Sequence, residues 1–274
     1  MSRFAEDMNV LYWEEPMDIG PKDTAFLQVR KAEDFPNVTV IVPHLPEGMG
    51  QDAREATLKR LLDAQVAAVR GALISWYYTP MMLPFSRHLD TDAVIFDSMD
   101  ELSKFRFAPE NLLQLEQELI DKADLVFTGG SSLYEAKKNR HENCHLFPSS
   151  VDREHFAKAR NTLSEPEDQA NIGRPRLGFY GVIDERFDIE LLRQIADMRP
   201  DWQFVIVGPV VKISEQDLPR AANIHYVGGK TYDQLPSYLS GWDVALMPFA
   251  MNESTQFISP TKTPEYLAGG KPVV

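Results

Sequence analysis

The chain has 274 residues, a single cysteine and a formal net charge of −13, most of it in the first 150 residues. That acidity argues against nucleic acid or an anionic membrane as the main partner, because both attract basic surfaces. Cys144 alone allows no internal disulfide, and with no apolar stretch long enough to span a membrane and no signal-peptide pattern, a cytoplasmic protein with at most peripheral membrane contact is expected.

In the first half, short apolar runs predict strands at 9–13, 38–42, 72–77, 93–96, 125–128 and 145–147. Helical periodicity falls at 52–70, 109–122 and 131–139. In the first of these, Arg54, Lys59 and Arg60 alternate with acids over a Leu58/Leu61/Leu62/Val66/Val69 stripe, which reads as a solvated face over a core face. Residues 151–175 are polar and breaker-rich and read as a linker or peripheral excursion. A second series follows, with strands at 176–180, 203–207, 224–227 and 244–247 and helices at 188–197, 232–239 and 260–268. Strand–helix alternation of this kind indicates parallel sheets, so the expectation is an α/β chain of two domains, 1–150 and 176–274. Both ends look cut. Phe4 and Ala5 read as the end of a helix whose preceding strand is missing, and Val274 falls inside an apolar strand.

In open parallel sheets, ligands bind beyond the carboxyl ends of the strands. Asp97 ends the run AVIFD, with Asp100 and Glu101 just after it. Three carboxylates at a strand end are placed to orient an acceptor hydroxyl or remove its proton, although Asp100 would equally serve as a helix cap. His44, after VTVIVP, is a further strand-end candidate. Gly178 and Gly181 allow close backbone approach ahead of Arg186, and Gly208 closes the run QFVIVG. Near the end, Ser259 reads as a helix N-cap and Pro260 as the first helical residue, followed by Thr261 and Lys262. Lys262 would oppose the helix dipole, which makes sense if an anion binds there, and Glu265 lies on the same face; a plain surface Lys–Glu pair is the alternative. No His/Cys cluster has metal-ligand spacing, so no metal or other cofactor is expected.

The string SPTKTPEYLAGGKPVV (259–274) resembles the donor-binding segment of family 4 retaining glycosyltransferases, which have the GT-B architecture of two Rossmann-like domains facing a cleft. Glu265, Gly269, Pro272, Val273 and Val274 match the residues of its E-x-x-x-G-x-P-V-V pattern, with one extra residue between Gly269 and Pro272. GFYGVIDERFD resembles the loop G-x-x-G-R-x-x-x-x-K-G, with Val182 at the first basic position and Arg186 one residue before the second. NIHYVGGKTYDQLPSYLSGWDVALMPF and DLVFTGGSSLYEAKK match further family segments, so the likeness covers most of the chain.

The resemblance implies a retaining, hexosyl-type transferase moving sugar from a nucleotide diphosphosugar to a hydroxyl of a saccharide or lipid-linked acceptor, in polysaccharide or glycoconjugate synthesis. Lys262 and Arg186 would hold the diphosphate beside Gly181, and Glu265 the ribose. Gly228 and Lys230 would lie at the base, and Asn252, Glu253 or Thr255 at the sugar. Many members carry a glutamate where this chain has Phe257. The acceptor-side position, often histidine, is Asp97 here. The resemblance also implies a missing first strand and an incomplete second domain, hence a fragment inactive on its own. A nucleotide-sugar epimerase on the same fold and a non-catalytic nucleotide-sugar-binding protein are the alternatives.

Overall fold

A computed structural model describes residues 3–105, 108–161, 163–252 and 255–274. Contacts group the chain into two compact units, Met1–Phe96 with Glu110–Leu125 and Asp97–Pro109 with Val126–Val274. The line drawn by contacts therefore differs from the expected one, since 97–109 and 126–150 group with the C-terminal residues.

The N-terminal strands are β1 (Val10–Trp13), β2 (Met17–Ile19), β3 (Phe26–Lys31) and β4 (Val38–Pro46). β1 and β2 both run parallel to β4, while β3 runs antiparallel to it. The β-branched run Val38-Thr39-Val40-Ile41-Val42 suits a sheet centre, and four of its five residues are buried. β2 and β3 fall outside the predicted strands. β2 is three residues long, and β3, FLQVRK, is exposed along nearly its whole length and lacks the apolar alternation that marks a half-buried strand. This sheet is therefore mixed. α1 (Gln51–Val66) buries Leu58 and Leu61 and stops before the expected end at residue 70.

β5 (Ile74–Tyr77), α2 (Leu83–Ser86), β6 (Ala93–Ser98), α3 (Leu112–Lys122), β7 (Leu125–Thr128), α4 (Ser131–Lys137) and β8 (Cys144–Leu146) follow. β5 pairs parallel with β6 and β7 with β8, in the strand order β5-β6-β7-β8.

The remaining elements are α5 (Arg153–Ala157), α6 (Glu167–Ala170), β9 (Arg176–Tyr180), α7 (Ile189–Met198), β10 (Gln203–Val207), β11 (Ile224–Gly228), α8 (Leu235–Ser240), β12 (Val244–Ala245) and α9 (Lys262–Ala268). Strands β9–β12 form an all-parallel sheet in the order β11-β10-β9-β12. β9 is buried at every residue, as a strand covered on both faces must be. Because side chains alternate, Phe179 joins Phe187, Leu192, Phe204 and Ile206 in one core, while Tyr180 joins Phe156, Val205, Trp242 and Tyr266 in the other.

Residues 151–175 are not a loose linker. Phe156 and Gln169 are fully buried. The Gln169 amide accepts from Trp242 Nε1 at 2.9 Å and donates to the Tyr238 carbonyl at 3.1 Å. Arg160 donates to the carbonyls of Ala268 and Leu267 at 2.7 and 3.0 Å, closing the C-terminal end of α9. The polar composition that suggested a linker supplies satisfied buried hydrogen bonds instead.

Candidate active site

Three adjacent strands end in glycines whose φ lies in the positive region, Gly181 (152°), Gly208 (144°) and Gly228 (73°). Two hydrogen bonds lace this rim, Gly181 N–H to Val207 O and Gly208 N–H to Gly228 O, both 2.9 Å. A Cβ on Gly208 would stand 1.8 Å from the Gly181 carbonyl oxygen, so that position admits only glycine. A Cβ on Gly181 would meet Lys262 Cε at 3.3 Å. The Lys262 side chain thus passes across Gly181, and its ammonium donates to Thr261 Oγ1 at 3.3 Å.

The expected helix start is corrected. α9 begins at Lys262, not Pro260, and Thr261 occupies the N-cap without a side-chain cap bond. Pro264, in the first turn, suits the later start, since a proline there removes no intrahelical hydrogen bond. Ser259 is in coil, with its Cβ 2.8 Å from where a Gly130 Cβ would lie. Pro260 and Thr261 precede the helix.

Glu265, one turn into α9, is the most unusual group. Its Oε2 is buried without a hydrogen-bond partner, as is the Tyr180 hydroxyl. Burial raises the Glu265 carboxyl above its usual range, and Lys262, Tyr180 and His155 work against that rise. Burial, reinforced by Glu265 and Tyr266, raises the Tyr180 phenol. The Tyr180 ring is 2% exposed and packs on Tyr266 at 4.8 Å, Trp242 at 5.6 Å and Phe156 at 6.2 Å. Its backbone N–H donates to Tyr266 Oη at 3.1 Å. Close by, His155 stacks on Tyr232 with centroids 4.2 Å apart, and His155 Nε2 lies 3.1 Å from the Tyr232 carbonyl oxygen.

Arg186 is held by a bidentate pair with Asp184, 2.6 Å at its shortest. It also interacts with Asp100, whose carboxyl burial raises and Arg186 lowers. Asp97 is half-buried at the C-terminal end of β6. Asp100 caps no helix. Glu101 turns away into an ion pair with Lys137 at 2.9 Å and accepts from Ser103. The Ala250 N–H donates to the Arg186 carbonyl, which ties the loop of Asn252 and Thr255 to this strand end. Asn252 and Thr255 bond to each other, and Thr255 Oγ1 donates to the Ala250 carbonyl. Glu253 lies outside the described residues. Lys230 pairs with Asp168 at 2.6 Å and sits over Tyr238.

The structure therefore gathers Gly181, Lys262 and Glu265 at the rim. It holds Arg186 on Asp184 and leaves Lys230 engaged with Asp168. Sequence reasoning missed Tyr180, His155 and Tyr232. Tyr180 stands directly before Gly181, the one local signal that pointed to it. Among the described residues no His, Cys, Asp and Glu are grouped to hold a metal ion, and no helix is long and apolar enough to cross a membrane.

No family model matches the chain. It is 28% identical over 215 residues to a Bacillus subtilis (strain 168) protein assigned as the teichuronic acid biosynthesis glycosyltransferase TuaH; the match covers 73% of this chain and 54% of that protein, so the chain spans about half the length of this relative. Sucrose-phosphate synthase from Thermosynechococcus elongatus superposes with a TM-score of 0.64 at 19% identity, over 99% of this chain and 72% of that one. Anabaena HepE, solved in complex with UDP and glucose, gives 0.62 at 17% identity, over 85% and 66%. The chain has the α/β fold, with parallel sheets, of glycosyltransferases of GT-B type.

Proposed function

We propose that this chain carries the donor site of a retaining glycosyltransferase that moves a hexosyl group from a nucleotide diphosphosugar to a hydroxyl of a saccharide or lipid-linked acceptor in the cytoplasm, in polysaccharide or glycoconjugate synthesis. The observation that carries the reading is the convergence of Lys262 and the partly buried Glu265 carboxylate on a rim of glycines at the ends of adjacent parallel strands. A nucleotide diphosphate fits: its ribose hydroxyls donate to Glu265 and its diphosphate meets Lys262 where Gly181 lets it approach the main chain. Lys262 and Arg186 would stabilise the departing diphosphate, with no metal ion invoked. Asp97 and Asp100 would address the acceptor hydroxyl; burial displaces the Asp100 carboxyl upward, which favours proton uptake there. The likeness to TuaH, at 28% identity, and the fold shared with HepE support the sugar-transfer reading.

The test is binding of a panel of nucleoside diphosphates and their sugars by thermal shift and calorimetry. Lys262→Ala and Glu265→Ala should each weaken the preferred nucleotide by about 1–3 kcal/mol, the scale of one charge-assisted hydrogen bond. Unchanged affinity in both variants, or no stabilisation by any nucleotide, sinks the donor-site reading. Nucleotide release that depends on an added acceptor identifies a transferase. Sugar isomerisation without acceptor would identify an epimerase, and binding without turnover a non-catalytic protein.

A further inference from the structure

A cavity of about 290 Å³ lies wholly within the N-terminal unit. Residues just past the carboxyl end of β1, the first turns of α1 and the chain after β5 line it. Its floor is apolar. Leu58 and Phe85 are buried, Met82 is half-buried, and Trp13 backs Phe85 with ring centroids 6.0 Å apart. Its rim is polar, with Glu15, Gln51, Arg54 and Glu55. The rim charges do not balance. Arg54 is matched by Asp18 at 2.9 Å, and the nearby cations Lys59 and Arg30 go to Asp63 and Glu14. Glu55 accepts from the neutral Gln51 amide at 2.6 Å. Among the described residues neither Glu15 nor Glu55 pairs with a cation, so the cavity holds two carboxylates without a counter-charge.

We propose that this cavity binds one uncharged pyranose of the acceptor, and that Glu15 and Glu55 make it reject sugars bearing a carboxylate or a phosphate. A sugar ring has both chemistries that the cavity offers. Its hydroxyls donate to carboxylates and to the Gln51 carbonyl oxygen, and its C–H face rests on the apolar floor. An alkyl chain would bury the rim groups without replacing their water. An anionic sugar would meet two like charges, and selectivity rests on such a repulsive element as much as on an attractive one. The proposal rests on the transferase reading above for its place in the reaction and adds the acceptor's charge class and two specificity-determining residues to it.

The experiment follows the amide chemical shifts of the isotope-labelled chain while methyl glucoside, galactoside and mannoside are titrated at low salt, each beside its methyl uronide. The members of a pair differ only at C6, hydroxymethyl against carboxylate. A hexoside should shift Gln51, Glu55 and Met82 and bind about tenfold or more tighter than its uronide. Raising the ionic strength to about 0.3 M should narrow that gap, because salt screens the repulsion and leaves the uncharged ligand alone. Glu15→Gln combined with Glu55→Gln should narrow it about threefold or more, mainly by tightening the uronide. Should the double variant fail to fold, Glu15→Gln alone, at an exposed position, must still narrow it. The proposal is overturned if no hexoside binds, if the shifts gather away from these residues, if a uronide binds as tightly as its hexoside, or if the variants leave the gap unchanged. Nucleotide binding at Lys262 and Glu265 is read separately. Hexoside binding without nucleotide binding sinks the donor-site reading and leaves the cavity's selectivity standing; the reverse result sinks the selectivity alone.

Discussion

Replacing Gly208 by alanine is the sharpest test of the glycine rim. The new Cβ would lie 1.8 Å from the Gly181 carbonyl oxygen, whereas real Cβ atoms essentially never come within 3.0 Å, so that carbonyl must retreat by about 1.2 Å. The retreat strains the two rim hydrogen bonds, Gly181 N–H to Val207 O and Gly208 N–H to Gly228 O, each contributing about 0.5–1.5 kcal/mol. A non-glycine residue held at φ +144° adds about 1–3 kcal/mol. Together these come to about 2–6 kcal/mol, a large share of the 5–15 kcal/mol typical of a domain. For a unit of this size, the melting temperature should fall by about 4–24 °C. Gly228→Ala is the control: φ is +73° there, but nothing lies within 4 Å of the added carbon, so only about 1 kcal/mol of backbone strain applies. Scanning calorimetry of both variants decides the matter. If Gly208→Ala is no more destabilised than Gly228→Ala, the close approach of the two strand ends is wrong.

The Glu101–Lys137 pair predicts an acid-dependent stability. Burial pushes the Glu101 carboxyl up, but hydrogen bonding and charge from Lys137 outweigh it and hold the group below its usual value of 4.5. Its contribution is therefore complete above about pH 4.5 and is lost as pH falls through the lowered value. Glu101→Gln should destabilise by about 1–3 kcal/mol at neutral pH, because Lys137, 1% exposed, loses one charge-assisted hydrogen bond, and should flatten the pH dependence below 4.5; urea titrations at pH 3.5 and 7 read both effects, and unchanged acid sensitivity refutes the assignment. Gln169→Leu should cost about 1–3 kcal/mol by orphaning the buried Trp242 N–H. A loss under 1 kcal/mol would restore the view of residues 151–175 as a linker.

What the sequence revealed followed its strongest patterns. β9 and β10 are continuous apolar runs with one physical solution, a strand buried on both faces, and α7 alternates on a clear helical period. β3 escaped because FLQVRK pairs through its backbone while most of its side chains face water. α9 was placed two residues early because Ser259-Pro260 and Thr261-Lys262-Thr263-Pro264 both resemble a helix start, and tertiary packing chose the second. Gln169 looked like a solvated residue because local composition does not show that a tryptophan indole will need an acceptor. Of the candidate site, Lys262 and Glu265 were legible as an odd cation and a carboxylate one turn apart. Tyr180 was not, since its enclosure by Tyr266, Trp242 and Phe156 brings together residues distant in sequence.

α9 has only seven residues, fewer than an isolated helix needs to persist in water. Its direction is dictated from outside. Arg160 grips one end, Tyr266 anchors the middle at 0% exposure, and the backbone of Gly269 presses against Leu239 so closely that a methyl group there would sit 2.3 Å from its side chain. The aim of Glu265 is thus delegated to residues that stand away from it. Changes at Arg160 or Leu239 would tilt the helix like a lever and mis-set the carboxylate by a distance that grows along its axis. Variation at such remote positions is accordingly a route by which selectivity could be retuned with every ligand-contacting side chain left in place.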